Sequence, residues 1–136
     1  EEIHKLTNLA ENYTINELVD NSLSKNSQKT SEIINESNYK QEDCILILRT
    51  FLQKAKRLLN IYQNQSGNLN YDNLINDYRP PIFWKDKPLV KKQLEKWSKS
   101  KIENLIININ KTEVFLKKNS SISLMLVFNF VYETSE

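Results

Sequence analysis

The chain is short of the residues that most active sites need. Its 136 residues include one histidine, His4, one cysteine, Cys44, and one glycine, Gly67. A single histidine removes most metal sites, and it removes the Ser-His-Asp and Cys-His constellations unless a second chain completes them. A single cysteine allows no intramolecular disulfide and no cysteine metal cluster, a usage that fits a reducing compartment. A single glycine cannot form a phosphate-cradling loop, so neither a P-loop nor a dinucleotide fingerprint is present. Few glycines and only three prolines favour helices over a turn-rich β protein. These scarcities lead us to expect no catalytic residue, no cofactor site and no metal site.

Long apolar runs are missing too. The best, Ile122 to Val131, falls far short of the ~20 residues of a membrane span, so no membrane association is expected. The N-terminal end is acidic and lacks an apolar core segment, which gives no expectation of a signal peptide. The sequence does not open on methionine, and we read it as a piece of a longer protein.

What is present describes one soluble domain. Hydrophobic residues make up 39% and charged residues 26%, enough apolar material for a single core at this length. The net charge of +2 singles out no partner. Asparagine and lysine are abundant, as AT-rich codon usage would produce. On that basis the sequons Asn12-Tyr13-Thr14, Asn64-Gln65-Ser66 and Asn110-Lys111-Thr112 are chance.

Apolar spacing of three and four predicts a series of helices. Glu1 to Ala10 carries Ile3, Leu6 and Leu9 on one stripe. Thr14-Ile15-Asn16-Glu17 has the form of a capping box, opening a helix with Ile15, Leu18, Val19 and Leu23 inward and Asp20 in solvent. A break at Ser24 to Asn26 precedes a helix from Ser27 to Ser37, with Asn38 as a left-handed cap. Gln41 to Gln63 is the clearest helix. Its stripe of Cys44, Ile45, Leu48, Phe51, Leu52, Ala55, Leu58, Leu59 and Tyr62 is widened by Ile47, which suggests two packing neighbours. Cys44 on that stripe reads as a small core residue. Ser66-Gly67 ends the helix, and Asn70 caps a short one to Tyr78.

Arg79-Pro80-Pro81-Ile82-Phe83-Trp84 must then interrupt helical structure, because proline lacks a donor and clashes with the preceding turn. We expect a buried elbow there, pinned by Phe83 and Trp84. Asp86 as N-cap and Pro88 in the first turn restart a helix through Trp97. Ser98 or Ser100 re-caps the chain, with Ser100-Lys101-Ile102-Glu103 as a second capping box, and a helix runs on to Lys117. Glu113 and Lys117 on it have the spacing of a favourable ion pair. Ile122 to Tyr132 is read as a last apolar helix. The expected fold is therefore all-α, a bundle of about six to eight helices.

One charged stretch could bind a partner. Lys85, Lys87, Lys91, Lys92, Lys96, Lys99 and Lys101 stand against only Asp86 and Glu95, with Trp84 and Trp97 among them, and Arg49, Lys54, Lys56 and Arg57 form a second cluster. Basic residues interleaved with aromatics suit a nucleic-acid face. A lysine-rich solvated surface with the tryptophans turned inward explains the same pattern.

Four segments in order resemble the C-terminal part of the delta subunit of bacterial DNA polymerase III, alphaproteobacterial versions above all. They are Thr14-Ile15-Asn16-Glu17-Leu18-Val19-Asp20; Asp43-Cys44-Ile45-Leu46-Ile47-Leu48-Arg49-Thr50-Phe51-Leu52; Arg79-Pro80-Pro81-Ile82-Phe83-Trp84-Lys85 leading to Gln93-Leu94-Glu95-Lys96-Trp97-Ser98; and Thr112-Glu113-Val114-Phe115-Leu116-Lys117. The resemblance covers nearly the whole chain. It implies a non-catalytic collar domain, residues 13–136, which holds delta in the pentameric clamp loader. Residues 1–12 would be the end of the AAA+ lid domain and its hinge. The parent complex is a nucleotidyltransferase, a DNA-directed DNA polymerase. The implied partners are the collar domains of delta prime and gamma/tau; the sliding clamp would be met only through domains outside this chain, and DNA weakly if at all. The implied location is the bacterial cytoplasm, at the nucleoid. Phe83, Trp84, Trp97, Glu113 and Lys117 are the expected core or interface residues.

Overall fold

A computed structural model describes residues 2–64 and 70–136, with side chains from residue 12 onward. The stripe of Ile3, Leu6 and Leu9, the lone His4 and the stop at Ser66-Gly67 lie outside the described side chains and residues. The fold is all-α: seven helices and no strand among the described residues. They are α1 (Glu2–Leu23), α2 (Ser27–Glu36), α3 (Asp43–Gln63), α4 (Tyr71–Asp77), α5 (Lys87–Lys96), α6 (Lys99–Lys118) and α7 (Ser123–Ser135).

α3 is the axis of the bundle. It packs on α1, α4, α5, α6 and α7, which is why its apolar stripe is wide. Ile47, Phe51, Leu58 and Ile61 are fully buried, and Phe51 meets Phe130 of α7 edge to face at 5.1 Å between ring centroids. Ile45, Leu52, Leu59 and Tyr62 flank them half-buried. Cys44 is a buried core residue whose thiol is pushed up by burial and by Asp43, the environment of an inert cysteine.

Several local expectations are corrected. α1 is one helix through residues 2–23, so Thr14 does not start a second. Ile15, Leu18, Val19 and Leu23 hold this stretch on the core, and a capping box decides a start only where the preceding turn is not already helical. The left-handed position is Lys25, not Asn38. Lys25 N donates to the carbonyl of Ser22 and Asn26 N to that of Asn21, the paired bonds of a Schellman motif. Asn26 then caps α2, its side chain accepting from Lys29 N at 3.1 Å. α2 ends in extended geometry at Ser37. Asn70 caps α4 as expected. Asp86 precedes α5 in helical geometry without a side-chain cap bond, because the 3-10 turn Trp84–Asp86 has already begun the coil. Pro88 sits in the first turn of α5. Ser98, rather than Ser100, caps α6, accepting from Lys101 N at 3.3 Å.

α6 and α7 fold back on each other through a 116° bend. Gln41, just ahead of α3, fastens that corner by donating to the carbonyl of Ser120. No single helix among the described residues is long and apolar enough to cross a membrane.

Candidate functional site

The chain ends of α1, α5 and α7 meet at one junction. Trp97 closes α5 and is buried, 7% exposed. Its indole Nε1 donates to the Leu23 carbonyl at 2.7 Å. Lys25 lies over the ring at 4.1 Å from the centroid and donates to the Thr134 carbonyl at 2.8 Å. Burial, then the nearby charge of Lys101, lowers the Lys25 pKa, with Glu136 opposing. Ser22 Oγ donates to the Val131 carbonyl at 2.9 Å, so α1 and α7 are tied end to end. Tyr62 of α3 shares its hydroxyl proton between the carbonyls of Leu94 and Trp97 at 2.5 and 2.6 Å, serving two acceptors that the end of α5 leaves open. Lys25 occupies a left-handed position where glycine is usual. Its long side chain is what this site uses.

Beside the junction lies a polar core. Asp20 was expected in solvent, but it pairs with Lys54 at 2.7 Å with both side chains largely buried. Gln93 is fully buried, and its Nε2 is shared among the Asp20 carbonyl, Asp20 Oδ1 and Ser24 Oγ at 3.2, 3.4 and 3.5 Å. Its Oε1 has no protein partner. α5 turns this residue inward alongside Val90 and Leu94, so one glutamine carries a contact that apolar patterning hides.

The elbow differs from expectation. Ile82 is buried at 6%, but Phe83 and Trp84 are 58% and 68% exposed. The segment before the 3-10 turn is extended, and alternate side chains of an extended chain face opposite ways. With Ile82 inward, Phe83 must point out. The two rings lie 5.9 Å apart at 53°. A groove of about 530 Å³ runs between this elbow and α3.

The seven lysines do not form one free face. Lys87 donates to Asn76 Oδ1 at 2.9 Å and Lys91 pairs with Asp72 at 3.3 Å, both bracing α5 against α4. Lys85 lies 5.4 Å from the Trp84 ring centroid. Lys92, Lys96, Lys99 and Lys101 are exposed. Glu113 turns to Arg49 of α3 at 3.8 Å, and Lys117 is exposed beside the groove that Cys44 lines.

A second apolar surface was not singled out by the sequence. Ile107 and Val114 of α6, two turns apart on one stripe, are exposed. Phe115, Ile122 and Met125 are exposed as well. Phe115, Leu105 and Thr112 of α6 and Leu126 and Phe130 of α7 border a groove of about 680 Å³ that runs to Trp97. Apolar spacing groups Val114 with Ile102, Leu105, Ile106, Ile109 and Leu116, and this is corrected: Val114 faces out, while Ile107 and Phe115 stand off that stripe. No three His, Cys, Asp or Glu side chains cluster as a metal site among the described residues.

Compared with protein-family models, with curated proteins and with solved structures, the chain matches none.

Proposed function

We propose that this chain is a non-catalytic assembly module, the helical collar domain of a clamp-loader delta subunit acting in the bacterial cytoplasm. Its work is mechanical: it holds its subunit in a ring through helix-on-helix contacts while other domains act on the clamp. The observation that carries this reading is the run of large apolar side chains left in water along α6, the turn that follows it and the start of α7: Ile107, Val114, Phe115, Ile122 and Met125. Exposed apolar clusters of this kind on a soluble domain mark places where a partner binds. An all-α bundle is also the architecture the resemblance calls for. The proposed boundary between lid and collar, at residues 12 and 13, falls within α1. A continuous helix would transmit the position of one domain to the other more stiffly than a loop.

The test is a binding titration of the chain against collar domains of delta prime and gamma/tau subunits. Saturable binding is expected, weakened at least tenfold by Val114→Asp. That change in an exposed residue leaves the fold intact, as far-UV circular dichroism would check. Absence of saturable binding to any collar partner would remove the proposal. Binding indifferent to Val114→Asp, Phe115→Asp and Met125→Asp would move the interface off α6 and α7.

A further inference from the structure

The groove between α6 and α7 has an apolar floor and a basic rim. One face of α6 borders it: Lys101, Asn104, Asn108, Lys111 and Phe115 follow one another at spacings of three and four, and all are exposed. From Lys101 to Phe115 that face is about 21 Å long, about four turns of helix. Leu126 and Phe130 of α7 form the opposite wall at the same spacing. Leu105 and Trp97 are buried at the bottom. Among the described residues α6 packs only on α3, α7 and the short turn between α6 and α7, so this face has no cover within the chain.

The charges along the groove are of one sign. Lys25, Lys101 and Lys111 stand against a single acid, Glu133. Neither Lys101 nor Lys111 makes an ion pair among the described residues. Lys101 is close enough to Lys25 for its charge to weigh against that of Lys25, and Glu136 offsets it only in part. Carboxylates laid along the rim would relieve this repulsion, and an apolar stripe between them would cover the floor.

Shape and chemistry narrow the occupant. No strand edge exists among the described residues for an extended segment to pair with. A bound segment must then satisfy its own backbone, which a helix does. Trp97 already carries Lys25 over its ring, and Glu133 borders the same space, which tells against a polynucleotide. We infer that this groove takes an acidic amphipathic helix of a second protein, its apolar stripe on Leu105, Phe115, Leu126 and Phe130 and its carboxylates on Lys101 and Lys111. The site stands apart from the assembly reading. Ile107 and Val114 lie about a third of a turn round α6 from this face, and Phe115 alone borders both surfaces.

The experiment is fluorescence anisotropy of the full chain with a labelled helical peptide of about 16 residues. The peptide carries leucine at spacings of three and four, glutamate on both flanks of that stripe and alanine elsewhere. We expect saturable binding that Lys101→Glu with Lys111→Glu weakens about tenfold. Serine in place of the peptide's leucines should abolish it. Lys92→Glu with Lys96→Glu, the same change of charge on α5, should leave it unchanged. These four lysines are exposed, so the variants keep the fold and the comparison holds. No saturable binding would overturn the inference, as would equal binding of a peptide of the same composition with its leucines scattered. Competition by oligothymidylate as effective as by unlabelled peptide would reassign the groove to nucleic acid and overturn it. Self-association of the chain that Lys101→Glu with Lys111→Glu abolishes would give the groove to a second copy and overturn it too. Peptide binding without collar binding would uphold this site and remove the assembly reading alone.

Discussion

Trp84 and Trp97 flank the same short helix and meet opposite fates. Trp97 closes α5 with its ring buried, its indole proton on Leu23, a lysine over its face and its own carbonyl held by Tyr62. Trp84 opens the turn before α5, two-thirds in water, touched by Phe83 and Lys85. The difference lies in the backbone on which each sits. Trp97 continues the inward stripe of Val90 and Leu94 at helical spacing. Trp84 follows an extended segment in which Ile82 has taken the inward place. One tryptophan is therefore structural, and the other is free to meet something else.

The sharpest way to break the comparison is to truncate each ring. Trp97→Ala removes a large buried side chain and strands the Leu23 carbonyl, and should cost about 3–5 kcal/mol. Trp84→Ala should change stability by no more than about 0.5 kcal/mol, as an exposed substitution does. Urea unfolding of both variants is the measurement. Equal losses would mean that Trp84 is covered in solution and that the two sites do not differ in kind.

The same contrast explains how much the sequence disclosed. The helices and their order follow from apolar spacing; α3 and α5 were legible to within a residue or two of their ends, and α7 runs three residues past the expected end at Tyr132. Cap identity was less legible, because Ser98 and Ser100 both suit a helix start and only packing chooses between them. The elbow was misread because apolarity reports that a residue can be buried, and cannot say which of two adjacent aromatics finds room. Asp20 and Gln93 were hidden for the converse reason. A polar residue on an inward position looks solvated until its partners, distant in sequence, are known. Lys54 lies on α3 and Gln93 on α5, and nothing local in α1 announces either. The exposed apolar residues of α6 were not legible: apolar patterning groups Val114 with Ile102, Leu105, Ile109 and Leu116, yet those four are buried and Val114 is exposed.

The cations of α3 give a second, smaller test of the contrast between junction and elbow. Lys54 serves the polar core and Lys56 the groove at the elbow, two residues apart on one helix. Asp20→Ala leaves Lys54 without its counter-charge and takes an acceptor from Gln93, and should cost about 1–3 kcal/mol. Lys56→Gln removes no protein partner and should stay within about 0.5 kcal/mol. Asp20→Leu combined with Lys54→Met should recover part of the loss, since an apolar pair can replace a buried ion pair. A double-mutant cycle on Asp20 and Lys54 with no coupling energy would show the pair to be a surface contact.

The smallest effect at neutral pH carries the most specific signature. Tyr62→Phe deletes only the hydroxyl that holds the Leu94 and Trp97 carbonyls, a loss of about 1 kcal/mol. Burial first, and then Tyr71, pushes the Tyr62 phenol well above its ordinary value of 10.0. The folded chain therefore keeps a proton that the unfolded chain has already released. The stability this group supplies is complete below pH 10 and declines as the pH climbs from there toward the folded value. Tyr39, raised chiefly by burial, acts in the same direction, and Lys25, lowered by burial, acts in the opposite one below 10.5. Both are common to the wild-type chain and the Tyr62→Phe variant, so the difference between the two isolates Tyr62. Urea midpoints at about pH 9 and about pH 11 should fall further in the wild type than in the variant. Parallel declines would mean that the hydroxyl is as hydrated in the folded chain as in the unfolded one. Trp97 would then be held by Leu23 and Lys25 alone, and the junction would be only partly fastened.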